Sequence, residues 1–361
     1  MSDINNNEVI QETTMDVTDK KCPQCGATIA FNPGTMSLSC EYCGYSKQLP
    51  KAEAGEAVVE MDFKSAASRS SCEWGTQKKS VVCKMCGAEA IYDALETASN
   101  CPFCGSTSVM PVDNIEDVMS PGGIVPFEID KKKAEEIFKS WLKGKLFAPK
   151  AAKESCEAKD FNGIYLPFWT YDCDTTSTYT ARLGFEYKDG EEKKIRWQNT
   201  SGVYQQFIDD EIVYASKKTI SPELKAVSTF DFKKIQPYSP EIVAGFAAER
   251  YSVGLDEGWT NAQKTIKPKL SSALTSKLRK QHHADRVEQV KMSTSYDNIT
   301  FKYLLAPIWM AAFKYNGVVY NIAVNGQTGR ISGKSPVSTI RVIIAILIVL
   351  AIIGLIFFLN N

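Results

Sequence analysis

The chain has almost no histidine. Of its 361 residues only His282 and His283 are imidazoles, and they are adjacent. That removes the commonest general acid/base and the usual partner of cysteine or carboxylate in catalytic metal sites. Net charge is missing too, since Lys+Arg and Asp+Glu both number 42. A chain-wide nucleic-acid footprint would be strongly basic. No basic, then apolar, secretory leader opens the sequence. Its first twenty residues are polar and acidic and read as a disordered tail. No G-x-S-x-G or H-E-x-x-H occurs. The run Gly329-Arg-Ile-Ser-Gly333-Lys334-Ser335 has three residues between its glycines where a phosphate loop needs four. Runs such as Asp209-Asp210-Glu211 read as solvated loops. No residue supports an enzymatic reading, and none is expected.

What is present is cysteine in a strict pattern. Eight of eleven cysteines form pairs: Cys22-Pro-Gln-Cys25 with Cys40-Glu-Tyr-Cys43, and Cys83-Lys-Met-Cys86 with Cys101-Pro-Phe-Cys104. Both sets read C-x2-C-x14-C-x2-C, and each position of the first recurs 61 residues later, which marks a duplicated module. Glycines repeat after each pair as Gly26, Gly44, Gly87 and Gly105, where a knuckle often needs positive φ. Four thiolates make a closed tetrahedral shell, the signature of structural zinc. A module this small needs its metal in order to fold. The expectation is two zinc ribbons holding two Zn2+ ions, with Cys22, Cys25, Cys40 and Cys43 on one and Cys83, Cys86, Cys101 and Cys104 on the other. A rubredoxin-like iron site is the alternative. Reduced thiols of this kind belong to a reducing compartment. Cys72, Cys156 and Cys173 read as ordinary buried or linker thiols.

From residue 21 to 111, eight Lys/Arg face nine Asp/Glu, a net charge of −1. Near-neutral ribbons favour protein contact over phosphate contact. The stretch between them, with its AEAGEA and SAASRSS runs, reads as a linker that lets the ribbons move separately.

Downstream the pattern is α+β. Asp130 to Gly144 carries an apolar stripe (Ala134, Ile137, Phe138, Trp141, Leu142) with Asp130 as N-cap. Its Lys-rich side reads as a solvated face, with anionic lipid as the alternative. Ile164 to Tyr171 is extended and aromatic, Asp189-Gly190 marks a hairpin, and Gln205 to Ser216 is strand-like. Ser239-Pro240-Glu241 reads as a helix start that Gly254 would end. Leu255, Trp259, Ala262, Ile266, Leu270, Leu274 and Leu278 follow at helical spacing, with Pro268 expected to kink or restart the helix. Residues 299–333 read as an antiparallel meander turning at Asn316-Gly317 and Asn325-Gly326. Pro167-x-Trp169 and Pro307-x-Trp309 suggest paired strands. The one basic cluster, eight Lys/Arg between Lys264 and Lys291, reads first as a solvated helix face, then as a lipid contact, then as a nucleic-acid contact.

Val342 to Leu359 is eighteen residues without a charge or strong hydrogen-bonding side chain. As a helix it would reach about 27 Å, close to the hydrocarbon thickness. Arg330, Lys334 and Arg341 precede it and no cation follows. The positive-inside rule then puts the large N-terminal part in the cytoplasm of a single-pass membrane protein. The organisation expected is a tail (1–20), ribbon 1 (21–49), a linker (50–80), ribbon 2 (81–111), a cytoplasmic α+β domain (112–337) and a membrane anchor (338–361).

The paired ribbons, Leu166-Pro-Phe-Trp169, and Val324-Asn-Gly-Gln-Thr-Gly329 ahead of a terminal apolar helix together resemble the bacterial TFIIB-type zinc-ribbon membrane proteins. These are often labelled primosomal protein N′ or replication-factor-Y helicase. The resemblance covers most of residues 21–359. It implies the eight cysteines as zinc ligands and, for some members, partners of phage-shock type in envelope-stress complexes. The helicase label does not carry over, because the chain has no Walker A motif. The leading expectation is a scaffold that recruits cytoplasmic or membrane proteins to the bilayer. The other is a membrane-tethered nucleic-acid-binding protein.

Overall fold

The computed structural model describes residues 21–49, 58, 60–64, 78–84, 89–93, 101, 109–112, 119–155, 161–217 and 222–359. The expected N-terminal tail, Cys72, Cys86, Cys104, Cys156, Gly87 and Gly105 lie outside them.

Three short strands, β1 (Ala30–Asn32), β2 (Ser37–Ser39) and β3 (Ser46–Gln48), form a small antiparallel sheet of their own. The other strands share one mixed, mainly antiparallel sheet. In chain order its parts and the helices around it are β4 (Met61–Asp62), β5 (Lys78–Cys83), β6 (Glu89–Asp93), β7 (Val109–Val112), β8 (Gly123–Ile124), α1 (Lys131–Lys143), α2 (Lys150–Ser155), β9 (Asn162–Asp189) and β10 (Glu192–Tyr214). There follow α3 (Pro222–Val227), β11 (Gln236–Pro237), β12 (Ala247–Glu249), α4 (Leu255–His282), β13 (Arg286–Tyr315), β14 (Val318–Asn325), β15 (Ile331–Gly333) and α5 (Thr339–Leu359).

The centre of this architecture is three very long strands, with β9 paired antiparallel to β10 on one side and to β13 on the other. The β9–β10 hairpin turns through two residues, Gly190-Glu191, with Gly190 at φ +68. The β13–β14 hairpin turns at Asn316-Gly317, φ +48 and +82, the two left-handed residues that a type I′ turn requires. The two proline-tryptophan elements do pair: Pro167 lies opposite Leu305, and Pro307 opposite Tyr165. Neither proline has an N–H to give, but both carbonyls are used. Ala215 N–H donates to Pro167 O at 3.0 Å, and Gly326 N–H to Pro307 O at 2.8 Å.

One face of the long sheet carries Trp169, Tyr171, Cys173, Ala181 and Leu183, all buried. Helix α4 covers that face with Trp259, Ala262, Ile266, Leu270, Leu274 and Leu278. Gly258 is also buried, and a Cβ there would stand 2.3 Å from the Tyr171 hydroxyl and 2.9 Å from Trp169, so the close approach leaves no room for a side chain. The helix runs unbroken through Pro268. Packing along one whole face outweighs the single backbone bond that a proline removes. Gly254 is the N-cap of α4 and ends no helix. The Ser239-Pro240-Glu241 segment is a turn, because the Ser239 hydroxyl bonds the Glu241 carboxylate, not the backbone. Gly245 at φ +80 then leads into β12, which pairs parallel with β9 at Ile164 and Tyr165.

Helix α1 follows its sequence pattern. Asp130 accepts from Lys133 N–H at 2.7 Å, and Ala134, Phe138 and Leu142 are buried. The turn at Asn325-Gly326 is a buried knot. Asn325 donates to Val227 O (2.7 Å) and Thr229 O (3.0 Å), and accepts from the N–H groups of Gln327 and Thr328 at 2.8 Å each.

Candidate metal centre and its surroundings

Each half of the first cysteine module is a tight turn closed by backbone bonds. Gly26 N–H reaches Cys22 O at 2.8 Å and Gly44 N–H reaches Cys40 O at 3.0 Å, with the glycines at φ +70 and +75. A Cβ would be strained at either angle. The strands β1 and β2 carry the chain between the turns and set them face to face. Cys22 Sγ lies 3.3 Å from Cys43 Sγ, Cys25 Sγ lies 3.6 Å from Cys40 Sγ, and all four sulfurs fall within 4.8 Å of one another. A tetrahedral zinc with ~2.3 Å bonds needs sulfurs about 3.8 Å apart, inside this range. Cys22 and Cys40 are buried, while Cys25 and Cys43 are exposed.

The thiols do not ionise independently. Burial works to raise Cys22, yet N–H groups of Cys25 and Gln24 and the neighbouring thiols bring it from 9.0 down to about 7. Cys43 accepts from Tyr45 N–H, which lowers it, but Cys22 and burial push it up to about 12. Crowded thiolates repel one another and call for a counter-charge. A dication supplies that counter-charge, so the residues fit a structural metal ion such as zinc.

In the second module, Cys83 is buried at the end of β5, and Cys101, earlier in the chain than β7, is buried too. Their expected co-ligands Cys86 and Cys104 lie outside the described residues, among which the first module is the one metal-ligating group assembled. The strands of the second module are not a separate sheet: β5 pairs β6 and β7, and β6 pairs β12 of the main sheet. The first module is fastened as well. Phe31 N–H donates to Ala244 O at 3.0 Å, and Gly245 leaves room for Ala30.

The expectation of a free linker does not hold for residues 60–64. Strand β4 pairs β13 at Thr300 and Phe301, and the Phe63 ring lies 6.1–6.4 Å from the rings of Tyr171, Trp259 and Phe301. Glu60 accepts from Thr300 Oγ1 at 2.9 Å and from Lys302 Nζ at 3.0 Å. Lys302, nearly buried, also meets Asp210 at 3.0 Å and Asp172 at 3.9 Å. Two bulges build this cluster, with Asp210 and Asn298 at φ +49 and +51 beside Asp172. Burial, then the Glu60 carboxylate, push Asp172 up to about 7, against the Asp210 N–H and Lys302. Burial opposes charge on Glu60 as well, but bonds to Asp172, Lys302 and Thr300 hold it below the ordinary range. The two carboxyls oppose each other's charge, Asp172 held up and Glu60 held down.

The sign of the pH effect follows. Asp172 binds its proton more tightly when folded. Its stabilising contribution is therefore complete below its unfolded value, 3.8, and is lost as pH rises through about 7. The thermal stability of the full chain should fall between pH 6 and 8, and Asp172→Asn should flatten that window. An Asn variant with the wild-type slope would assign the effect elsewhere. A lysine set between Phe301 and Tyr303 in an otherwise apolar strand was the available sequence signal for this cluster.

The basic cluster of 264–291 is partly engaged within the fold. Lys269 pairs with buried Glu211 at 2.6 Å, Arg286 with Glu186 at 3.1 Å, and Lys277 sits 5.1 Å over the Tyr204 ring. Next to Pro268, a groove of about 670 Å³ opens between α4 and β13, lined by Lys267, Ser271, Met292 and Tyr296 among others. At the other end of the chain, α5 is long and apolar enough to cross a membrane, and none of its apolar window is buried.

These features define a mixed α/β protein with one assembled four-cysteine centre and one candidate membrane span. No family model and no solved structure matches the chain. Among curated proteins, an uncharacterized protein of Bacillus subtilis (strain 168), YdjG, is 28% identical over 326 residues, spanning 88% of this chain and 90% of the relative.

Proposed function

We propose that this protein is a membrane-anchored zinc-ribbon scaffold that gathers cytoplasmic or membrane proteins at the bilayer, in an envelope-stress complex of the kind the family resemblance implies. The second module holds a second zinc through Cys83, Cys86, Cys101 and Cys104. The bulk of the chain stands on the cytoplasmic side, where its thiols stay reduced.

The observation that carries this reading is the continuous backbone connection from the cysteine centre to the apolar helix. Phe31 is bonded to the 240–246 turn, β12 to β9, β9 to β13, β13 to β14, and β14 to β15 just before α5. A ribbon held this way offers its tip, where Tyr42 is 85% exposed, at a fixed place relative to the anchor. Exposed tyrosine is a common protein-contact residue. The nucleic-acid alternative loses support where Lys269, Lys277 and Arg286 already serve the fold.

The test is affinity purification of the full chain from mild detergent extracts. Specific protein partners should be recovered with the wild type and lost with Cys22→Ser/Cys83→Ser. Partners retained by that variant, or binding of DNA or RNA that weakens steeply with salt, would favour the alternative.

A further inference from the structure

We infer that the loop joining α1 to α2 is a second membrane contact, a foot that inserts into the anionic headgroup region beside the root of α5. The inference rests on the reading of α5 as a membrane span.

The loop is tied to that root by its backbone. Ser338 N–H donates to Phe147 O at 2.9 Å, and the Arg341 guanidinium donates to Leu146 O at 3.1 Å. The uncharged run of α5 starts at Val342, one residue after Arg341. With ~1.5 Å of rise per residue, Ser338 lies about 6 Å along the axis from that boundary. The carbonyls of Leu146 and Phe147 are therefore held at headgroup depth.

The loop has the chemistry that depth demands. Leu146 is 81% and Phe147 42% exposed, a poor arrangement in water for two large apolar side chains placed in succession. Val337 before α5 and Ile340 in its first turn, both exposed, extend the same patch. Cations surround it. Lys143, Lys145, Lys150 and Arg341 belong to the loop, its flanks or the root, and Glu154, an acid of α2, is paired with Lys150 at 3.7 Å. Lys145 Nζ stands 4.4 Å over the half-buried Trp141 ring. Apolar tips ringed by lysine and an amphipathic tryptophan fit the boundary between acyl chains and anionic phosphate.

The loop also cannot withdraw independently. Ala148 is buried, Lys153 Nζ bonds Lys143 O at 2.8 Å across it, and α1 is seated on the core by Phe138 and Leu142. A rigid loop gives up little conformational entropy on entering the interface.

The experiment uses the full chain in lipid nanodiscs of phosphatidylcholine, with or without phosphatidylglycerol. The photo-cross-linker p-benzoylphenylalanine replaces Phe147, Ile348 in α5, or exposed Phe207 on β10, one at a time, and lipid adducts are read by mass spectrometry. Adducts are expected at 147 and 348 and not at 207. The yield at 147 should fall several-fold without phosphatidylglycerol or in Lys143→Glu/Lys145→Glu, while that at 348 holds. A yield at 147 no higher than at 207, or insensitive to lipid charge, with 348 still labelled, overturns the foot and leaves the anchor standing. Absence of label at 348 overturns the anchor and the foot together.

Discussion

Replacing Cys40 with serine should cost the protein one zinc equivalent and unfold residues 21–49, leaving the long sheet intact. The module has three strands of three residues each, and its buried apolar side chains are few: Ile29, Phe31 and Leu38. A core of that size does not hold a chain together. Structural zinc contributes roughly 10–16 kcal/mol in small domains, so losing one of four thiolates removes most of what folds this one. Cys40 is the informative position because it is buried and its carbonyl also accepts from Gly44. Metal analysis per chain and limited proteolysis with cleavage mapped to 21–49 would check it. Undiminished zinc with unchanged cleavage would mean that the four sulfurs hold no metal. A chelator should reproduce the cleavage pattern in the wild type.

Asn325→Leu should destabilise the sheet domain by about 4 kcal/mol, a large effect for one nearly isosteric change. Both functional atoms of the asparagine are satisfied twice, by Val227, Thr229, Gln327 and Thr328, and the residue is wholly buried. Leucine would leave two buried carbonyls and two N–H groups without partners. It would also release α3 from the β14–β15 turn, since both carbonyls that Asn325 binds follow α3 or end it. Thr328→Ala, at the exposed rim of the same turn, should cost under about 1 kcal/mol. Thermal unfolding of the detergent-solubilised chain distinguishes the two. Equal, small losses for both would mean that the turn holds itself without its asparagine.

Much of this was legible because the chemistry is local. The Asn316-Gly317 turn, the Asp130 cap and the two cysteine knuckles of the first module each depend on residues within a few positions of one another, and each formed as read. The long strands were harder to see. Strand β13 has left-handed residues at Gln289 and Asn298, and β10 has one at Asp210, each beside a shift in register. Every such bulge reverses which side of the sheet the following residues face, so the alternation of apolar and polar breaks into short pieces. The open face adds to the difficulty. Thr176, Thr178 and Thr180, opposite Ser295, Ser293 and Lys291, give a run with little hydrophobic signal. The Glu60–Lys302 contact joins positions 242 residues apart, a distance no local pattern reports. Of the eight metal ligands read from spacing, four are assembled in the first module.

The length of β9 has a physical consequence for the charges at its two ends. At ~3.3 Å per residue, its 28 residues extend up to about 90 Å from Asn162 to Asp189. Charge at one point in physiological salt is damped within ~8 Å. The hairpin tip, with Lys188, Lys193 and Lys194, is therefore electrically deaf to whatever surface charge the base of the strand encounters. The two extremities can be retuned by mutation or ionic strength one at a time, and only mechanical strain along the ladder can carry news between them.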